Sequence, residues 1–88
     1  MELKIIEESK NRLIFELKGE DHTFCNILVK ELQKDSSVKA AAYRIDHPLA
    51  RIPTIILEAD DTKKSLKKAI SNLRKESQDF LSKVSKEL

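Results

Sequence analysis

From Leu66 to Val84 the chain places Leu66, Ile70, Leu73, Ser77, Phe80 and Val84 at alternating spacings of four and three, and Ala69, Leu81 and Leu88 widen the same stripe. That period specifies an amphipathic helix. It opens at Asp60-Asp61-Thr62, where side-chain oxygens suit the free N–H groups of a first helical turn. About 25 residues of helix reach roughly 38 Å, more than the 25 to 30 Å breadth of a domain this small. The overhang carries Phe80, Leu81, Val84 and Leu88, and an apolar stripe without cover marks a protein interface.

The rest of the chain offers little to cover that stripe. In 88 residues, only about 60 to 65% of the unfolded surface can be buried, so the core is thin and a partner is expected to supply stability. Residues 1–88 are read as one domain.

Ahead of the long helix the apolar period is mostly two. Leu3 to Glu8 and Arg12 to Lys18 read as strands joined by the polar turn Ser9-Lys10-Asn11, with Leu13, Phe15 and Leu17 alternating with Ile14 and Glu16. Val38 to Ile45 and Thr54 to Ala59 read as two more. Ala40, Ala41 and Ala42 favour helix by propensity, so the third strand rests on its flanking Val38, Tyr43 and Ile45. Pro48 and Pro53 stiffen the loop between these strands by restricting His47 and Ile52.

Between the two strand pairs the period switches to helical. Phe24, Ile27, Leu28 and Leu32 recur on one stripe and Cys25 and Val29 on its neighbour, a sector broad enough for packing on two sides. Asp21 or Thr23 can cap the first turn, and Glu20 and Asp21 complement the helix dipole. Asp35-Ser36-Ser37 ends it. The order β-β-α-β-β-α specifies an α+β fold: a four-stranded, mostly antiparallel sheet with two helices on one face.

Composition excludes several functions. One cysteine cannot form an internal disulfide, no charged leader precedes an apolar run, and no apolar stretch approaches the roughly 20 residues of a membrane span. A soluble, cytoplasmic protein is expected. His22, Cys25 and His47 give three of the four ligands a structural zinc site needs, so neither metal nor cofactor is expected. Cys25 falls on the apolar side of its helix, where a thiol acts as a small hydrophobe and not as a nucleophile with His22 as its base.

The net charge of +2 is unevenly spread, with +5 over residues 62–88 and −3 over residues 1–61. Lys63, Lys64, Lys67, Lys68, Arg74 and Lys75 therefore support an alternative, a small homodimeric nucleic-acid-binding protein of chromatin type. Against it stand the modest net charge, the scarcity of aromatic residues, and Glu76 and Asp79 further along the helix.

Gly19-Glu20-Asp21-His22-Thr23-x-x-Asn26-x-Leu28, followed by Tyr43-x-x-x-His47-Pro48-Leu49, resembles the small dimerisation subunits of cellular RNA polymerases. These are the archaeal L subunits and their eukaryotic equivalents, distantly similar to the N-terminal domain of bacterial α. Phe24, Cys25 and Ala42 depart from the family's commoner residues but remain apolar and small.

The resemblance implies a noncatalytic subunit of a DNA-directed RNA polymerase, a nucleotidyltransferase complex. It would form a heterodimer with a larger α-like subunit, called D in archaea, and the pair would be the platform on which the large catalytic subunits assemble. Other small subunits would be met through the assembly, DNA only indirectly, and no membrane. Phe24, Ile27, Leu28, Leu73, Phe80, Leu81 and Val84 are the expected partner-facing residues; Asp21, His22, Thr23, Asn26, His47 and Pro48 are expected to order the fold.

Overall fold

A computed structural model describes residues 2–45 and 52–87. The elements run β1 (Glu2–Glu8), β2 (Arg12–Lys18), α1 (His22–Gln33), β3 (Val38–Ile45), β4 (Pro53–Ala59) and α2 (Thr62–Glu87). The strands form one fully antiparallel sheet in the order β1-β2-β4-β3.

Register explains the two faces of the sheet. Phe15 pairs with Ile5 on one side and Ile55 on the other, and Ile55 pairs in turn with Tyr43. The next row of that face joins Leu13, Leu57 and Ala41. Because side chains alternate along a strand, these rows face the helices while Ile14, Ile56 and Ala42 form a row on the opposite face. Continuous pairing of Ala40 to Ile45 with β4, after an irregularity at Lys39, overrides the helical preference of the three alanines.

Helix α1 packs across β3 and against α2, and α2 packs on β4. The core between the layers joins Leu13, Phe15, Leu17, Ile55 and Leu57 from the sheet to Cys25, Leu28, Val29 and Leu32 from α1 and Ala69 from α2. Full burial of a side chain such as Phe15 or Leu32 contributes about 1.5–3 kcal/mol. Ala41 is small and buried, which lets α1 lie close on β3.

Three local devices aim the helices. Gly19, at φ 93°, makes the turn out of β2 in a conformation that a Cβ would disfavour. Asp61 Oδ1 accepts a 3.2 Å bond from the backbone N–H of Lys64 and caps α2. Thr62 then ties the start of that helix to the β1–β2 turn: its N–H donates to the Lys10 carbonyl at 2.8 Å and its hydroxyl to the Ser9 carbonyl at 3.0 Å. With this end fixed, the direction of α2 away from the sheet is fixed too.

Strand β4 begins one residue earlier than the apolar pattern indicates, at Pro53, which pairs with Ile45; a proline is tolerated as the first residue of a strand. His47 and Pro48, expected to order the loop before it, lie outside the described residues.

Candidate interaction surface

The polar segment that opens α1 divides into distinct tasks. Asp21 is the N-cap, with extended backbone at φ −109° and ψ −179°, and its Oδ1 accepts a 3.1 Å bond from the Phe24 N–H. Of the two capping residues the sequence allowed, Asp21 and not Thr23 makes the bond. His22 reaches across to β3, where Nδ1 lies 3.1 Å from the Tyr43 hydroxyl. Thr23 and Asn26 are exposed, and neither side chain hydrogen-bonds to a described residue.

Cys25 is buried beneath this turn. Burial pushes its thiol above the ordinary value, and the nearby charges of Glu20 and then Asp21 push the same way. All three effects disfavour the thiolate, the opposite of what a nucleophilic cysteine needs.

The C-terminal end of α1 and the start of α2 are joined by a polar cluster that sequence reasoning missed. Asp35 Oδ1 accepts from the Ser37 N–H at 2.9 Å and the Ser37 hydroxyl at 2.8 Å, and Ser37 Oγ lies 3.2 Å from Ser65 Oγ on α2. The Glu31 carboxylate, only 5% exposed, is met by Lys34 Nζ at 2.9 Å. Nothing in the apolar periodicity marks Glu31 for burial. It lines a pocket between the end of α1 and Ser65, Lys68, Ala69 and Asn72 of α2, and a cation one helical turn on compensates its charge.

The seven residues expected at a partner interface separate once the layers are in place. Leu28 faces the chain's own core at 3% exposure. Phe24 and Leu73 are half-buried against that core and form its outer edge. Ile27, Phe80 and Leu81 stand out at 48%, 67% and 63% exposed, and Val84 is half-buried. Ile27 from α1 and Leu73, Phe80 and Leu81 from α2 line one open groove, bordered by Glu76 and Ser77.

Cover over α2 stops early. Its buried residues are Thr62, Ser65 and Ala69, all in the first third, and from Arg74 to Lys83 every residue is exposed. At about 1.5 Å per residue its 26 residues extend about 39 Å. Ile70, Leu3 and Ile5 also expose large apolar side chains that sequence reasoning did not place at a site. The signal for Ile70 was its position between Leu66 and Leu73; Leu3 and Ile5 lie on β1, the edge strand of the sheet among the described residues, and their apolar alternation was the available signal.

The basic half of α2 is partly occupied within the fold. Lys63 Nζ pairs with Glu8 at 2.7 Å, and Lys68 lies near enough to help hold the Asp35 carboxyl below its usual range. Among the described residues no His, Cys, Asp and Glu side chains group as a metal site, and no helix is long and apolar enough to cross a membrane.

The RNA polymerase Rpb3/Rpb11 dimerisation-domain model matches residues 12–83, a span that takes in most of the sheet and both helices up to Lys83. DNA-directed RNA polymerase subunit Rpo11 of Methanothermobacter thermautotrophicus is 41% identical over 78 residues, covering 89% of this chain and 92% of that protein. The subunit of the same name from Pyrococcus horikoshii is 39% identical over 94 aligned positions, covering 98% and 99%. Among solved structures, DNA-directed RNA polymerase subunit L from Thermoplasma acidophilum superposes with a TM-score of 0.87 at 31% identity, over 98% of this chain and 87% of that one.

Proposed function

The chain belongs to the RNA polymerase Rpb3/Rpb11 dimerisation-domain family, and on that premise we propose that it is a noncatalytic subunit of an archaeal DNA-directed RNA polymerase that pairs with the larger α-like subunit. The pair serves as the platform on which the large catalytic subunits assemble. One observation carries this reading: Ile27, Leu73, Phe80 and Leu81 line a single open groove where α2 runs beyond its own sheet. A helix held in that way is stabilised by burial against a second chain, because its propensity alone is weak and its intramolecular cover ends near Leu73.

Residues 1–88 act as one unit in this role. Phe80 and Leu81 enter the joint core, Ile27 borders it from α1, and Phe24, Leu73 and Val84 complete its floor. Leu28 supports that floor from the side of the sheet. Asp21 and His22 set where α1 begins and so where Ile27 emerges. A cytoplasmic place and only indirect contact with DNA follow from membership of such an assembly.

Co-expression with the larger α-like subunit tests the pairing. Wild-type chain is expected to copurify with it at equal stoichiometry in native mass spectrometry. Phe80→Asp places an unpaired charge in the joint core and should weaken association by about a hundredfold or more. Undiminished copurification of that variant removes Phe80 from the interface, and absence of any complex with the wild-type chain overturns the pairing.

A further inference from the structure

Two opposite charges on the exposed part of α2, Glu76 and Lys83, stand seven residues apart, the same spacing that its apolar positions repeat. Leu66, Leu73 and Phe80 recur every seven residues, as do Ile70, Ser77 and Val84, so the helix carries two interleaved seam positions. Glu76 immediately precedes Ser77 and Lys83 immediately precedes Val84. They occupy equivalent positions on one flank of the seam, and both are exposed. Two helical turns separate them, about 10.5 Å along the axis, too far for an ion pair within the helix. Among the described residues neither comes within ion-pair distance of another side chain; Glu76 is near enough to Lys34, at the end of α1, to help raise its pKa, and Lys83 has no such neighbour.

We propose that, when the larger α-like partner is absent, this chain pairs with a second copy of itself through α2, the two helices running antiparallel about a two-fold axis near Phe80. The proposal rests on the same apolar face as the assembly reading above. An antiparallel two-fold pair brings each flank against its own counterpart, so Glu76 of one copy meets Lys83 of the other, and symmetry makes that contact twice. A parallel pair sets Glu76 across from the flank that carries Leu81 and gains no charge pairing.

The seam fits the antiparallel arrangement as well. Ser77, small and beside Phe80 in the groove, leaves room for the Phe80 ring of the second copy. On the other flank Arg74 of one copy lies against Leu81 of the other, and its alkyl stem can cover that side chain while the guanidinium stays in water. Ile27 extends the seat from α1, so the face that self-pairing closes is the one left open by the fold. Self-pairing thus competes with binding of the larger α-like partner and shields the apolar face until that partner arrives.

Sedimentation equilibrium on the isolated full-length chain tests this. The wild-type chain is expected to be a dimer at about 100 µM. Glu76→Lys and Lys83→Glu, each turning two attractions into two repulsions, are expected to raise the dissociation constant at least about tenfold. An equimolar mixture of the two variants restores complementary charge at both contacts and should return to wild-type affinity.

Circular dichroism checks that each variant keeps its helices. A monomeric wild-type chain at that concentration, single variants as tightly paired as wild type, or a mixture no tighter than its components would each overturn the proposal. Copurification with the larger α-like partner is read separately: its persistence alongside a monomeric free chain refutes self-pairing alone.

Discussion

His22 Nδ1 lies 3.1 Å from the Tyr43 hydroxyl, and the two rings meet edge to face with centroids 5.8 Å apart. The contact joins the first turn of α1 to β3, and Tyr43 itself sits in the sheet row that includes Ile55. It therefore links the helix that presents Ile27 to the sheet that fixes the domain. Tyr43→Phe keeps the ring and removes the hydrogen bond. An exposed bond of this kind contributes about 0.5–1 kcal/mol. Urea denaturation at fixed protein concentration should show a loss of that size, and an unchanged midpoint would mean that the contact does not hold α1 to the sheet.

Asp35 gives the chain a predictable acid sensitivity. The Ser37 backbone N–H first, and the Ser37 hydroxyl second, hold its carboxyl below the usual carboxylate range, with help from the charge of Lys68. A carboxylate depressed in the folded state stabilises fully above its unfolded value of about 3.9. That contribution is lost as pH falls through the folded value. Asp35→Asn cannot titrate, so its melting temperature should fall less than that of wild type between about pH 6 and pH 3. Parallel melting curves over that range would contradict the assignment.

Cys25 should be inert in the native chain. Burial and the carboxylates of Glu20 and Asp21 raise its pKa, so both access and thiolate fraction are low at neutral pH. Iodoacetamide should modify it slowly in the folded protein and rapidly in denaturant. Rapid native alkylation would reopen a reactive role for this thiol.

Much of the architecture could be read from local pattern. The bounds of β2 coincide with the alternating segment Arg12 to Lys18, because apolar side chains on one face identify a strand with that face buried, and those of β3 coincide with Val38 to Ile45, which Val38, Tyr43 and Ile45 mark on either side of the three alanines. The length of α2 was legible from its repeat and from Asp61-Thr62. Which side of a broad apolar helix faces its own sheet was not. Ile27 and Leu28 are adjacent in sequence and equally apolar, yet a turn of about 100° around the helix axis puts one at 48% exposure and the other at 3%.

Polar contacts between distant segments were equally hidden. His22 and Tyr43 both belong to the motif that resembles the polymerase family, but only packing of α1 on β3 brings them together. The Ser37–Ser65 contact spans 28 positions and depends on the approach of α2 to the end of α1. The burial of Glu31 is equally invisible in the sequence, because a Glu and Lys three apart on a helix suit a solvated face as well as a buried pair.

Hydrogen exchange, followed peptide by peptide with the isolated chain at low concentration and then bound to the larger α-like partner, tests the central claim most directly. If the uncovered half of α2 is the seat of that partner, amides of residues 74–87 should exchange readily alone and become strongly protected in the complex, by about a hundredfold or more. The peptide covering Phe24 to Leu28 should gain protection with them, while the β2–β4 pairing changes less. Equal exchange of residues 74–87 in the free and bound chain would contradict the assignment of α2 as the interface.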